Sequence, residues 1–388
     1  MSGSTRPKVR GTLRRLLFGA AVLVILGALV YRSRGIIRLE EFSWKRLGQS
    51  LRQARGSLLV LSLVTIYAGY AVRSLRWIRF SRYLGRLRFW GVYSSTVMGF
   101  CAIFLLGRAG EPIRPLLIAR KERLPVSSMF GIYVLERLFD GLATAVVAGL
   151  GLLLLPRMAV SRTPSAALVG AMRTTGIVLL VLLFAAAVFL VYFRLHGAAA
   201  VERRLMGWRQ ASGWRPRAAG VLAGLTGGLL AIQSLGDLVA AISYSAVHWT
   251  LVATIYVWVA WSFGVADQQL GRMGFPGALL ALAFTMVGST LQLPGVGGGS
   301  QVASFLAYTG VFGVEKEPAA AASIALWLIT FAASSLAGAP LLIREGWSMG
   351  ELRQLARAER EAEAAGTHAS GPEVSGGGGP AKPGEARR

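Results

Sequence analysis

The chain has a single cysteine, Cys101, which excludes an intrachain disulfide and any cysteine-built metal site. Its three histidines, His196, His248 and His368, stand far apart and form no ligand spacing. No metal and no cofactor is therefore expected. Acidic residues are scarce: 18 Asp and Glu face 42 Lys and Arg, for a net charge of +24. Lysine is scarcer still, confined to Lys8, Lys45, Lys121, Lys316 and Lys382, so nearly all the positive charge is arginine. Guanidinium groups suit bidentate contacts to phosphate, and basic loops are drawn to anionic lipid surfaces. Most loop arginines are read as orienting membrane spans. A nucleic-acid partner is not expected, because no basic soluble domain is present to carry one.

Charge of either sign is missing over long stretches, and that absence sets the fold class. Phe89–Gly107, Gly141–Leu155, Thr174–Phe193, Leu238–Val265 and Pro318–Ile343 hold no Asp, Glu, Lys or Arg, in a chain that is 54% hydrophobic. Such runs approach the roughly 20 residues that cross a bilayer. Only helices and closed barrels satisfy their backbone in lipid, and the period-two alternation of barrel strands is absent. An all-α polytopic membrane protein follows.

The basic N-terminus leads into Leu16–Tyr31, read as a retained anchor because no small-residue cleavage site follows. Residues 32–56 mix apolar side chains with arginines and read as an interfacial amphipathic helix. Residues 1–56 thus form an anchor region, 57–345 a transmembrane domain, and 346–388 a cytoplasmic tail, helical and then disordered. Within the second span, Ser57–Val72, the flanking Arg73 and Arg76 are read as snorkelling and Trp77 as an interface residue. Asp237 is read as a helix N-cap, His248 as a hydrogen-bonded structural residue, and Gly149 and Gly151 as points of close helix contact.

Counting sides gives the topology. The acid-free loop Arg79–Arg88 and the basic stretch Arg194–Arg217 both belong in the cytoplasm. Two spans, near 138–155 and 174–193, separate the second of these from the ARKER cluster at 119–123, which must then be cytoplasmic too. Residues 108–119 are too short and too charged to return across the membrane. The chain from Phe89 should instead enter, turn at Gly-Arg-Ala-Gly-Glu-Pro (107–112), and leave on the same side. The same count makes Asp267–Arg272 and Glu315–Lys316 both external, so the uncharged stretch between them must turn back at Pro294–Gly299. The expected architecture is about six full spans plus two opposed re-entrant helical hairpins, near 89–120 and 275–314. One hairpin enters from each side, as in an inverted repeat. Both termini then lie in the cytoplasm. The stretch 218–236 is read as interfacial, since a span there would invert the count.

The candidate site residues lie at or beside these turns. Gly110, Glu111 and Arg114 follow the first break, with Arg108 inside it. Glu136, Arg137 and Asp140 sit one helical turn apart just before Gly141. At the second break Gly297, Gly298 and Gly299 precede Ser300, a good N-cap, and Gln301. Each break should place a helix N-terminus at membrane depth, where free N–H groups bind anions, phosphate above all. Ionisable groups in such segments mark functional sites by default. A buried ion-pair network that only holds the hairpin is the competing explanation.

The runs LRWIRF, GRAGEPIRPLLIARK and ERLFDGLA, then LPGVGGGSQVASF before a last span, resemble the transmembrane region of lysylphosphatidylglycerol synthases. The resemblance covers roughly residues 57–345. It is carried by G-E-x-x-R (Gly110, Glu111, Arg114) and E-R-x-x-D (Glu136, Arg137, Asp140). It implies a flippase-like domain of the bacterial inner membrane that moves an aminoacylated or other phospholipid between leaflets. Family members often carry a glutamate where this chain has Gln301, which departs from any proton- or cation-coupling role there. Too few residues follow Arg344 for the family's soluble aminoacyl-transfer domain, so the chain is expected not to be an enzyme. The expected partner is an anionic membrane phospholipid; a second copy of the chain or a lipid-modifying enzyme are further candidate partners. The alternatives are a membrane-embedded lipid-modifying enzyme using Glu136 and Asp140, and a non-transporting scaffold for such an enzyme.

Overall fold

Glycine placement decides where the helices of this chain turn. The computed structural model describes residues 42–154, 231–289 and 297–347, the short pieces 292–293 and 350–351, and the single positions 174, 177 and 181. The anchor at 16–31, nearly all of 174–193, the basic stretch 194–217, most of 218–236 and the tail lie outside the described residues. The described elements are α1 (Trp44–Gln53), α2 (Gly56–Ser81), α3 (Phe89–Leu106), α4 (Ile113–Glu122), α5 (Val126–Leu154), α6 (Leu235–Ser262), α7 (Phe275–Gly288), α8 (Gly299–Leu306), α9 (Lys316–Trp327) and α10 (Ala333–Arg344). Among the described residues the protein is all-helical apart from a two-residue antiparallel pairing of Gln292–Leu293 with Gly297–Gly298. By length and apolar composition, four described stretches can cross a membrane: Gly56–Ser81, Phe89–Gly110, Leu235–Ser262 and Lys316–Arg344.

The chain divides into two compact units. One comprises 70–142, 182–246 and 334–388 and contains the first break. Here α3 ends at Gly107, whose φ of 64° would strain any side chain. A 3-10 turn over Gly107–Gly110 follows, then Pro112 and α4. Helix α4 runs back along α3. A Cβ on Gly110 would lie 2.3 Å from the Ala102 carbonyl oxygen, and one on Gly99 would lie 2.5 Å from Arg114 Cβ. Near the open end, a Cβ on Gly91 would run into the Glu122 side chain. The contacts advance in opposite directions along the two helices, so the segment is a hairpin. Its base is closed where the Arg88 N–H donates to Glu122 Oε2 at 3.2 Å. Phe89–Gly110 therefore has the length of a span, but the chain returns beside its own start. Two apolar clusters seat the hairpin: Trp77, Phe80, Val92, Ile118, Met129 and Leu135 in one, and Met98, Cys101, Ile113, Leu117 and Leu342 in the other.

The second unit comprises 1–69, 143–181 and 247–333. It contains the other break, between α7 and α8, where a Cβ on Gly288 would lie 2.3 Å from the Gly299 carbonyl oxygen. This hairpin closes too, with the Glu315 N–H donating to Asp267 Oδ2 at 3.0 Å. Gly151 fulfils its expected role, since a Cβ there would approach the Leu280 backbone to 3.2 Å. Helix α1 is N-capped by Ser43, whose own N–H donates to the buried Glu317 at 2.9 Å.

Helix α5 runs from Val126 to Leu154, so Glu136, Arg137 and Asp140 lie on one long helix, as their spacing predicts. Two local expectations need correction. Helix α8 starts at Gly299, so Ser300 lies inside its first turn and Gly298 holds the capping position. Asp237 is not an N-cap: it sits in the first turn of α6 and accepts from the N–H groups of Gln233 and Ser234, while Ser234 Oγ accepts from the Asp237 N–H. That reciprocal pair is a capping box with Ser234 at the cap.

Candidate functional site

The site lies within the first unit, where α2, α4 and α5 supply charged side chains to one buried cluster. Helix α5 presents Glu136 and Asp140 on one face because they are one turn apart. Glu136 has no exposure and Asp140 has 8%. Helix α2 presents Arg73 and Arg76, three residues apart and both buried. Helix α4 adds Arg114 at 2% exposure, its Cβ pressed against Gly99. Arg137 borders the cluster with a more exposed side chain.

Glu136 is the common acceptor. Its Oε1 receives Arg73 Nε at 3.1 Å, Arg76 Nη2 at 3.0 Å and Arg114 Nη1 at 3.2 Å. Its Oε2 receives Arg114 Nη2, which makes the Arg114–Glu136 contact bidentate. Asp140 receives Arg73 Nη2 at 2.6 Å, Arg76 Nη2 at 2.8 Å and Arg137 Nη2 at 3.1 Å. Among the described residues, four guanidinium groups thus share two carboxylates. Glu111 joins at one remove: it accepts from the Tyr133 hydroxyl, and Arg137 lies 5.3 Å above the Tyr133 ring. Even counting Glu111, one positive charge is left over. Arg76 also donates to Ser245 Oγ at 2.8 Å, but its buried Nε has no hydrogen-bond partner among the described residues. Aromatic rings hold Arg114 from the sides, with Trp77 at 5.0 Å, Phe100 at 5.6 Å and Tyr133 at 5.9 Å. Cation–π contacts of this kind strengthen once water is excluded.

The structure therefore brings together Arg114, Glu136, Arg137 and Asp140, with Glu111 attached through Tyr133. Gly110 supports them through the close approach of α4 to α3. Arg108 is set apart: it is exposed, with no ion pair to the cluster. Gly297, Gly298, Gly299, Ser300 and Gln301 belong to the other unit, where the Gln301 side chain accepts the Gly298 N–H. Gly298 has φ 107°, which only glycine adopts without strain.

The reading of Arg73, Arg76 and Trp77 as interface residues is overturned. Trp77 has no exposure, Arg76 has 1% and Arg73 has 7%. The signal was present in the sequence. Two arginines at i, i+3 in an acid-free helix need partners, and the nearest pair of carboxylates within apolar sequence is Glu136 and Asp140. Snorkelling explained the arginines too easily.

A cluster of this kind can hold a second anion, because donors exceed acceptors in a water-poor setting where hydrogen bonds to charged groups are strong. Among curated proteins no match to the chain was found. The family model for the lysylphosphatidylglycerol synthase TM region, however, matches residues 16–338, a stretch that includes both hairpins and every charged residue of the cluster, and the chain belongs to that family.

Proposed function

We propose that this protein moves an anionic phospholipid, or a related lipid such as an aminoacylated one, between the leaflets of the bacterial inner membrane. Family membership supports a membrane protein concerned with lipids. The observation that carries the step to transport is the cluster of buried Arg73, Arg76 and Arg114, bordered by the exposed Arg137, on two direct carboxylates among the described residues. A headgroup crossing the bilayer must exchange its water for other hydrogen-bond donors, because an unpaired charge costs several kcal/mol or more in the interior. Surplus guanidinium groups beside a hairpin turn supply those donors. In this reading the two hairpins enter from opposite faces, both termini are cytoplasmic, and the chain transports lipid without modifying it.

The test is a leaflet-resolved assay on purified protein in vesicles containing a fluorescent phosphatidylglycerol. Wild type should equilibrate the label across the bilayer, while Asp140→Asn should fold, insert and fail to do so. Equal movement with both proteins, or movement no faster than in empty vesicles, would reject the reading. Side-specific cysteine labelling, after replacing Cys101, tests the topology. External reactivity at position 119 would overturn it.

A further inference from the structure

The division of labour between the two carboxylates points to a feature that the transport reading does not itself require. Asp140 touches Arg73, Arg76 and Arg137. Glu136 touches those three and Arg114 as well. Arg114 is thus the one guanidinium of the cluster whose ion pair, among the described residues, is to Glu136 and not to Asp140. Its contact is bidentate, both terminal nitrogens facing both carboxylate oxygens. That is the fork a phosphate group would occupy.

We infer that Glu136 is a built-in stand-in for the phosphate, holding Arg114 in the unloaded protein and yielding it to the phosphodiester of a glycerophospholipid. This rests on the lipid-transport reading and adds to it a competition within the site. At Arg114 one single negative charge replaces another, and because Glu136 stays in the cluster the added phosphodiester charge meets the one positive charge left over there. Arg73, Arg76 and Arg137 need not move, since Asp140 continues to hold them. Arg114 need not move either. Trp77, Phe100 and Tyr133 flank its guanidinium from α2, α3 and α5 and keep it aimed when the carboxylate leaves. The displaced Glu136 has somewhere to turn, because the buried Arg76 Nε has no hydrogen-bond partner among the described residues. The device also answers a difficulty of any carrier. Guanidinium groups with no internal counter-charge would grip phosphate too well to release it, whereas an internal competitor lowers the affinity and drives release.

Native mass spectrometry from nanodiscs containing phosphatidylglycerol would test this, reading the phosphatidylglycerol that stays bound as detergent and collision energy rise. Glu136→Gln removes the competing charge. Glu136→Asp keeps it near Arg73 and Arg76 but withdraws it from Arg114 by one methylene. Both should hold the lipid more tightly than wild type, by about tenfold for the Gln variant, and both should move it more slowly. Arg114→Ala should lose the retained lipid in the wild-type and Glu136→Gln backgrounds alike. If Arg114→Ala loses the lipid but neither Glu136 variant gains any, the competition is wrong and the phosphate site stands. If Arg114→Ala retains lipid like wild type, the transport reading fails at this site. Inorganic phosphate added to wild type separates the sources. It should leave the bound lipid in place, and displacement at millimolar concentration would assign the site to a free anion. Wild type alone gives an independent reading by infrared difference spectroscopy with carboxyl-labelled glutamate. Adding phosphatidylglycerol should shift a buried carboxylate band, and a flat difference spectrum would overturn the exchange.

Discussion

The two hairpins use the same backbone device for different chemistry. The first reverses at the 3-10 turn Gly107–Gly110, the second brings Gln292–Leu293 back against Gly297–Gly298, and each depends on a glycine where its helices nearly touch. Each is closed at its base by a carboxylate accepting a backbone N–H from the far arm, Glu122 from Arg88 and Asp267 from Glu315. Yet the first stands beside a cluster of guanidinium groups and carboxylates, while the stretch from Met273 to Val314 has no charged side chain at all. The second hairpin shows that this architecture needs no buried charge to form. Buried ion pairs are weak contributors to stability against an apolar replacement, so the charges of the first hairpin call for a functional account.

The sharpest way to break the comparison is to unbalance the first hairpin. Arg76→Met leaves Glu136 and Asp140 with fewer donors in an apolar setting. We expect it to cost about 3–5 kcal/mol, read as a large fall in the midpoint of thermal unfolding in detergent. Loss of transport with unchanged stability would instead place Arg76 in the transport step alone. Next in size is the close approach common to both. Gly110→Val and Gly288→Val should each destabilise by about 1–3 kcal/mol or more through overpacking. A hairpin that tolerated the change would not share the device. Arg114→Lys should retain the fold but weaken phosphatidylglycerol retention, because an ammonium cannot reproduce the bidentate fork. The same lipid-retention measurement on Gln301→Ala should show little change, though its unfolding free energy should fall by about 1 kcal/mol for the lost capping bond, read as a modest drop in the midpoint. The smallest effects belong to the base closures. Glu122→Ala and Asp267→Ala each remove one partly exposed acceptor, worth about 0.5–1.5 kcal/mol. Hydrogen exchange at Arg88 and Glu315 would report them locally, and faster exchange at one site only would show that the closures are not equivalent.

Much of this was legible in the residues. Gly107, Gly110 and Pro112 announce a helix that stops and restarts, and the structure stops α3 and starts α4 there. The spacing of Glu136 and Asp140 places both on one helix face, and both point into the cluster. Helix ends were less legible. Ser300 has the right chemistry for a cap, but the positive φ of Gly298 lets the chain enter α8 two residues earlier. At α6 the capping box uses Ser234, with Asp237 as its third-position partner.

By itself the sequence determined what is local or compositional: helices in a membrane, from uncharged runs of spanning length, and two glycine breaks, from residues that cannot continue a helix. It determined membership in the family through short motifs around those breaks. Only the tertiary structure decided which arginines matter. Arg73, Arg76, Arg108 and Arg114 are alike as sequence, each a single charge beside apolar residues. Three are buried against Glu136, while Arg108 is exposed away from it. The physical reason is that a guanidinium's role is set by the distance to its counter-charge. Arg73 and Glu136 lie 63 positions apart in the chain, a separation that only packing closes.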